Sequence, residues 1–248
     1  AEGDGFRVAG VFFPAGTAAG LDADLRNAVA RALDRLDEIA RIAFQPVAEA
    51  PPPAAPPPRM VSGLGGAAGY GEITLPRSDD GYFVQDISAV FETGIDVYGT
   101  SFDQMFVNTN GSISFGNGIL NYTPTGLTQG YAAMFAPFWA DVDTRAGALR
   151  GAESGAIHVD LDAQGDVVTI TWENVNFYDR NGLRQNSFQI QLVDRGGGDF
   201  DLLFRYGEID WTSGDADGGT NGLGGRTALA GVTAGDGTRY IELAASGR

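Results

Sequence analysis

The chain has 248 residues, 43% of them hydrophobic, enough for one large domain and a smaller element with a packed core. Sixteen basic residues, all arginine, stand against 32 acidic ones, a formal net charge of −16. That balance argues against a nucleic-acid partner and against attraction to anionic membranes, and it suits hard divalent cations such as calcium.

Residues 1–50 read as a small α/β element. Phe6–Phe13 is a predicted strand, carried by Val8, Val11, Phe12 and Phe13. Leu21–Ala43 is a predicted helix, because Leu21, Leu25, Val29, Ala32, Leu36, Ile39, Ala40 and Ala43 recur at three- and four-residue steps. Phe44–Val47 offers a second short strand. Residues 51–70 read as a linker: the run from Pro51 to Pro58 favours extended polyproline, and Gly63–Gly71 is flexible by composition.

Residues 71–248 read as all-β. Ala156–Asp162 alternates Ile157, Val159 and Leu161 on one face, turns at Gln164-Gly165-Asp166 and returns as Val167–Trp172. Ser187–Val193 and Phe200–Tyr206 form a second predicted hairpin around Arg195-Gly196-Gly197-Gly198-Asp199. Ala228–Thr233 and Tyr240–Leu243 form a third around Ala234-Gly235-Asp236-Gly237. Their succession predicts one antiparallel meander.

No cysteine is present, which removes disulfides and thiolate metal sites. No stretch reaches the roughly 18 consecutive apolar residues of a membrane-spanning helix. Ala1-Glu2-Gly3-Asp4-Gly5 has no basic n-region and no apolar h-region. A removed signal, a C-terminal export signal and no export all stay open. The lack of lysine and the abundance of Ala, Gly, Asp and Arg fit a GC-rich bacterial coding sequence.

Six ordered blocks carry a resemblance. They are Phe106-Val107-Asn108-Thr109-Asn110-Gly111-Ser112-Ile113-Ser114-Phe115, Ala136-Pro137-Phe138-Trp139-Ala140-Asp141-Val142-Asp143, Thr171-Trp172-Glu173-Asn174-Val175, and Asn186-Ser187-Phe188-Gln189. Gly198-Asp199-Phe200-Asp201 running to Phe204-Arg205-Tyr206-Gly207 follows, then Ile209-Asp210-Trp211-Thr212. Together they make residues 102–232 resemble the nidogen-like (NIDO) domain. The resemblance implies an extracellular module without catalytic activity of its own, found in animal basement-membrane and mucin-like proteins and in large bacterial surface proteins. Ala30–Ala40 followed by Ile42-Ala43-Phe44 also resembles the opening helix and strand of serralysin-type zinc proteases, with an ordinary amphipathic helix as the alternative. The zinc motif of those enzymes cannot exist here, because His158 is the only histidine.

Asp141 and Asp143 are the candidate metal ligands. In an extended segment they point to the same side, where like charges call for a cation or an arginine. Oxygen ligands suit calcium, and solvated or turn-capping aspartates are the alternative. His158 is expected to be a solvated strand residue, and no Gly-x-Ser-x-Gly elbow accompanies it. Gly214–Gly225, with Asp215 and Asp217, is expected to be a mobile surface loop. Asn110-Gly111 is a hairpin signal. Phe135, Phe138, Trp139, Trp172, Phe188, Phe200, Phe204, Tyr206 and Trp211 are the expected core, and Asn110-Gly111-Ser112 and Asn121-Tyr122-Thr123 are formal glycosylation sequons.

These readings give a mainly β protein: an antiparallel β-sandwich-like domain behind a small N-terminal α/β element and a proline-rich linker. The expected function is a non-enzymatic extracellular adhesion or structural module, with calcium the one cofactor its carboxylates would suit. Its partner would be a protein or glycan in a matrix or surface assembly, with no nucleic acid and no membrane insertion. The alternative is a subunit of a filament, sheath or phage-like assembly, a homo-oligomer docking through its N-terminal segment.

Overall fold

The computed structural model describes residues 6–12, as backbone, and 71–243. The helix expected over Leu21–Ala43, the strand expected over Phe44–Val47 and the linker at 51–70 lie outside the described residues. The strands in chain order are β1 (Phe6–Phe12), β2 (Ile73–Thr74), β3 (Tyr82–Asp86), β4 (Ile95–Val97), β5 (Thr100–Phe102), β6 (Gln104–Asn108), β7 (Ser112–Phe115) and β8 (Ala133–Trp139). They continue with β9 (Val142–Asp143), β10 (Arg150–Gly151), β11 (Ile157–Asp162), β12 (Val167–Phe177), β13 (Asn181–Gly196), β14 (Asp199–Ile209), β15 (Leu229–Thr233) and β16 (Tyr240–Glu242). Among the described residues no helix is long and apolar enough to cross a membrane.

Two sheets face each other. The larger runs β1-β14-β13-β12-β11-β2, with β9 and β10 attached to β12 and β13; the smaller runs β16-β15-β8-β7-β6-β3. The larger sheet is the predicted meander: β11 pairs antiparallel with β12, β12 with β13, and β13 with β14. The meander stops there. The hairpin β15–β16 forms as predicted but belongs to the smaller sheet, where β15 pairs with β8. The strand β1, expected in a separate N-terminal element, adds in parallel to the outer edge of β14.

The expected aromatics fill the space between the sheets. Val168, Ile170 and Trp172 of β12 and Phe188, Ile190 and Leu192 of β13 put apolar side chains on alternate positions facing the core, while the polar Thr169, Thr171 and Gln189 between them are buried as well. The apolar side chains meet Phe135 and Phe138 from β8. Phe135 lies 5.7 Å from Phe200, and Phe138 lies 5.2 Å from both Phe188 and Trp211. Each ring removed from water contributes on the order of 1.5–3 kcal/mol. Trp139 is the exception. It turns to the outer face of the smaller sheet and joins Ile119, Leu127, Met134, Ala136 and Leu229 in a second cluster.

That inversion has a cause in the sequence. Pro137 has no N–H to give to a central strand, so the ladder must break there. Leu229 lies opposite Trp139 but Gly231 lies opposite Ala136, so three residues of β8 span two of β15. The bulge lets Phe135 and Phe138 both point inward, and it sends the chain beyond Trp139 toward one end of the sandwich. The freed Pro137 carbonyl accepts the Tyr206 hydroxyl at 2.7 Å.

Candidate functional site

Asp141 follows the bulged strand and is 1% exposed. Its backbone is held on both sides. The Ala140 N–H donates to the Asn110 carbonyl at 3.3 Å, and the Tyr178 N–H donates to the Asp141 carbonyl at 3.2 Å. The Val142 N–H donates to Asn110 Oδ1 at 2.9 Å. Asn110 is itself fixed by the turn between β6 and β7. There Gly111 takes a φ of +76°, and a Cβ would stand 1.8 Å from the Phe138 carbonyl oxygen.

Asp79 and Asp80 come from the loop between β2 and β3. Arg77 clamps that loop, donating to the carbonyls of Thr144 at 2.9 Å, Ser154 at 2.7 Å and Gly155 at 3.0 Å. Ser78 and Thr144 exchange backbone and hydroxyl hydrogen bonds beside it. The result brings one carboxylate oxygen each from Asp79, Asp80 and Asp141 within 4.8 Å of one another. Asp80 is exposed, Asp79 half-buried and Asp141 buried, so the group opens to solvent on the Asp80 side.

The carboxylates are incompletely satisfied. Asp79 Oδ2 meets Arg145 at 3.0 Å, and Asp80 Oδ1 accepts from Asn110 Nδ2 at 2.9 Å. Asp79 Oδ1, Asp141 Oδ2 and Asp217 Oδ2 are buried without a hydrogen bond. Burial, then the charges of Asp79, Asp80, Asp217 and Asp143, pushes Asp141 up to about 8. Burial, followed by Asp143 and Asp80, pushes Asp79 up to about 7 against the opposing pull of Arg145. A buried carboxylate in such surroundings takes up either a proton or a cation.

Of the two aspartates singled out in the sequence, Asp141 joins this group and Asp143 turns elsewhere. Asp143 is fully buried and fully engaged. Its oxygens accept from the Arg145 N–H at 3.0 Å, Arg145 Nε at 2.9 Å, Arg145 Nη2 at 2.5 Å and the Arg180 N–H at 2.9 Å. Arg145 also reaches Asp179 at 2.9 Å. The expected arginine compensation therefore falls on Asp143, and Asp141 takes its neighbours from a distant loop.

The loop at 214–225, expected to be mobile, is pinned. Its Asp215–Asp217 stretch forms a 3-10 turn. Asp215 Oδ1 accepts from the Gly222 N–H at 3.2 Å, and Asp217 Oδ1 accepts from Thr123 Oγ1 at 2.6 Å. Gly214 lies directly on the site: a Cβ there would fall 2.7 Å from Asp141 Oδ2.

His158 lies on the outward side of β11 as expected, but it is half-buried and engaged rather than solvated. Its Nδ1 lies 3.1 Å from Thr74 Oγ1 and its Nε2 lies 3.2 Å from Glu173 Oε2. These are cross-strand neighbours on a sheet face, a polar ladder rather than a cleft. Asn110 is too buried to carry a glycan, whereas Asn121 is exposed.

Sequence reasoning missed Asp79, Asp80 and the second role of Asn110. The signal was present as an Asp-Asp pair before Gly81, but nothing local tied it to Asp141.

The nidogen-like domain family model matches residues 103–248. The chain is 34% identical over 194 residues to alpha-tectorin from both Mus musculus and Homo sapiens, covering 69% of this chain and 9% of each of those proteins. It is 27% identical over 193 residues to nidogen of Drosophila melanogaster, covering 70% of this chain and 14% of that protein. The chain thus spans a small part of the length of these relatives. No solved structure matches it.

Proposed function

The chain belongs to the nidogen-like domain family, and from that premise we propose that it is a non-enzymatic adhesion or structural module of an extracellular or cell-surface protein. Family membership is the observation that carries this reading. The similarity to alpha-tectorin and nidogen extends along 69% and 70% of the chain. The disposition of reactive groups agrees with it. His158 lies in a ladder on a sheet face, and Asp143 is consumed by Arg145.

The partner, a protein or glycan of a matrix or surface assembly, would meet the loops at the acidic end. Leu149 (59% exposed), Leu183 (53%), Leu223 (43%) and Tyr178 (37%) lie on segments adjacent there. The Leu149 N–H donates to the Arg180 carbonyl, β10 pairs with Asn181-Gly182, and Arg150 reaches Asn221. Exposed apolar side chains grouped among polar loops are what a docking surface offers. Solid-phase binding of the full chain to a decellularised matrix should saturate, and Leu149→Ser with Leu183→Ser should weaken it. Undiminished binding by a folded double variant would refute the assignment of the surface, and absence of saturable binding would refute the adhesion reading.

A second reading, an assembly subunit docking through its N-terminal segment, is favoured by β1. Parallel addition to β14 uses backbone groups, so the same strand from another copy fits the same edge. Light scattering on the full chain and on one lacking residues 1–60 separates the cases. Two monomers at high concentration would end this reading.

A further inference from the structure

We propose that Asp79, Asp80 and Asp141 form a calcium site that ties the loop between β2 and β3 to the corner between β8 and β9, independently of whichever partner the module engages.

Clustering of acids alone would not carry this, since exposed carboxylates often gather without an ion. Three further features do. Asp141 is 1% exposed and its Oδ2 is buried without any hydrogen bond, while Asp79 Oδ1 beside it is orphaned in the same way. Burying such an oxygen unpaired is costly, and native proteins rarely leave the cost unanswered. The spacing also fits. Calcium holds oxygen ligands at about 2.3–2.6 Å, so oxygens across one ion stand about 5 Å apart at most. The three carboxylates lie within 4.8 Å. Finally, the local charge is uncompensated. Arg145 is divided among Asp79, Asp143 and Asp179, and Asp80 and Asp141 have no ion-pair partner among the described residues.

The ligand set is made only of hard oxygen donors, which selects calcium or magnesium over softer metals. Calcium is favoured because it tolerates irregular geometry and a variable number of waters, and the exposed Asp80 side leaves room for water. The loop at 214–225 closes the inner side. Gly214 abuts Asp141 Oδ2, and Asp217 adds its own buried, unbonded Oδ2 nearby. A proton on Asp141 is the competing occupant, and it would satisfy only one of these oxygens.

The test is thermal unfolding and calorimetric titration of the full chain with calcium chloride, magnesium chloride or chelator. Calcium is expected to raise Tm and to bind one ion per chain, with magnesium markedly weaker. Asp80→Asn keeps the loop's shape at an exposed position and should weaken calcium binding about tenfold or more, while Asp141→Asn should abolish the Tm rise. Asp103→Asn, an exposed aspartate remote in sequence from the three ligands, should respond as wild type. Far-UV circular dichroism confirms that each variant is folded. No calcium-dependent Tm rise in wild type would overturn the proposal, as would a rise that survives in folded Asp80→Asn and Asp141→Asn.

Discussion

The Asn110 side-chain amide joins Asp80 to the strand that follows Asp141: its nitrogen donates to Asp80 Oδ1 at 2.9 Å and its oxygen accepts the Val142 N–H at 2.9 Å. A residue whose sequence marks it as a turn former thus holds two loops in register at the acidic end. Removing it should be felt in both.

Asn110→Ala takes one of two acceptors from the Val142 N–H, which keeps only the Ala140 carbonyl at 2.9 Å, and the lost hydrogen bond costs about 0.5–1.5 kcal/mol. The loss of the Asp80 contact adds to it. Urea unfolding should show a lower midpoint at an unchanged slope. A midpoint equal to wild type would show that water replaces the amide at no cost.

Gly111→Ala should be more damaging. The φ of +76° disfavours any side chain by about 1–2 kcal/mol, and the new methyl would meet the Phe138 carbonyl. The expected result is insoluble protein or a melting point far below that of Asn110→Ala. Native-like melting of Gly111→Ala would contradict the close approach of the turn to β8.

Arg145→Met strips Asp143, a buried carboxylate, of its ion-pair partner. Breaking a buried pair costs about 3–5 kcal/mol, and the figure here should sit near the lower end because Arg145 is partly exposed. Arg145→Lys should recover only part, since a lysine cannot fork across both Asp143 oxygens. Full recovery by lysine in chemical denaturation would argue that charge alone matters.

Alkaline pH should unfold the protein earlier than its arginines would suggest. Burial, with Asp236 adding and Arg239 opposing, pushes Tyr98 up to about 12, and burial raises Tyr206 above the usual range. An unfolded tyrosine ionises near pH 10. Both groups are neutral in each state below that pH, so their contribution is fully present there. Between about 10 and 12 the unfolded chain loses protons that the folded one keeps, and stability falls. Absorbance titration should show late-ionising tyrosines, and the urea midpoint should drop over that window. A flat midpoint through it would count against buried hydroxyls at these positions.

The hairpins were legible because each is local. Alternating apolar residues around Gln164-Gly165-Asp166 and around the glycines at 196–198 specify partners a few residues away. The Phe106–Phe115 block was legible for the same reason. Assignment of β15 to the smaller sheet was not, because pairing with β8 is decided by packing across a long separation. The site was half legible. The abrupt change from Phe138-Trp139 to Asp141 marked a polar end of the core, but the alternation rule assumed a regular strand. Pro137 breaks that strand, and Arg145 folds back on Asp143, so the two aspartates acquire different partners. Asp79 and Asp80 come from a loop far away in sequence, a pairing no local pattern encodes.

Trp172 Nε1 of one sheet donates to the Thr109 carbonyl of the other at 3.0 Å, and the Tyr206 hydroxyl donates to Pro137 in the same sense. Oily layers alone would glide over each other with little resistance. These two cross-ties make sliding strand a buried carbonyl, so a pull applied along the strands meets a shear-resistant laminate instead of a lubricated one.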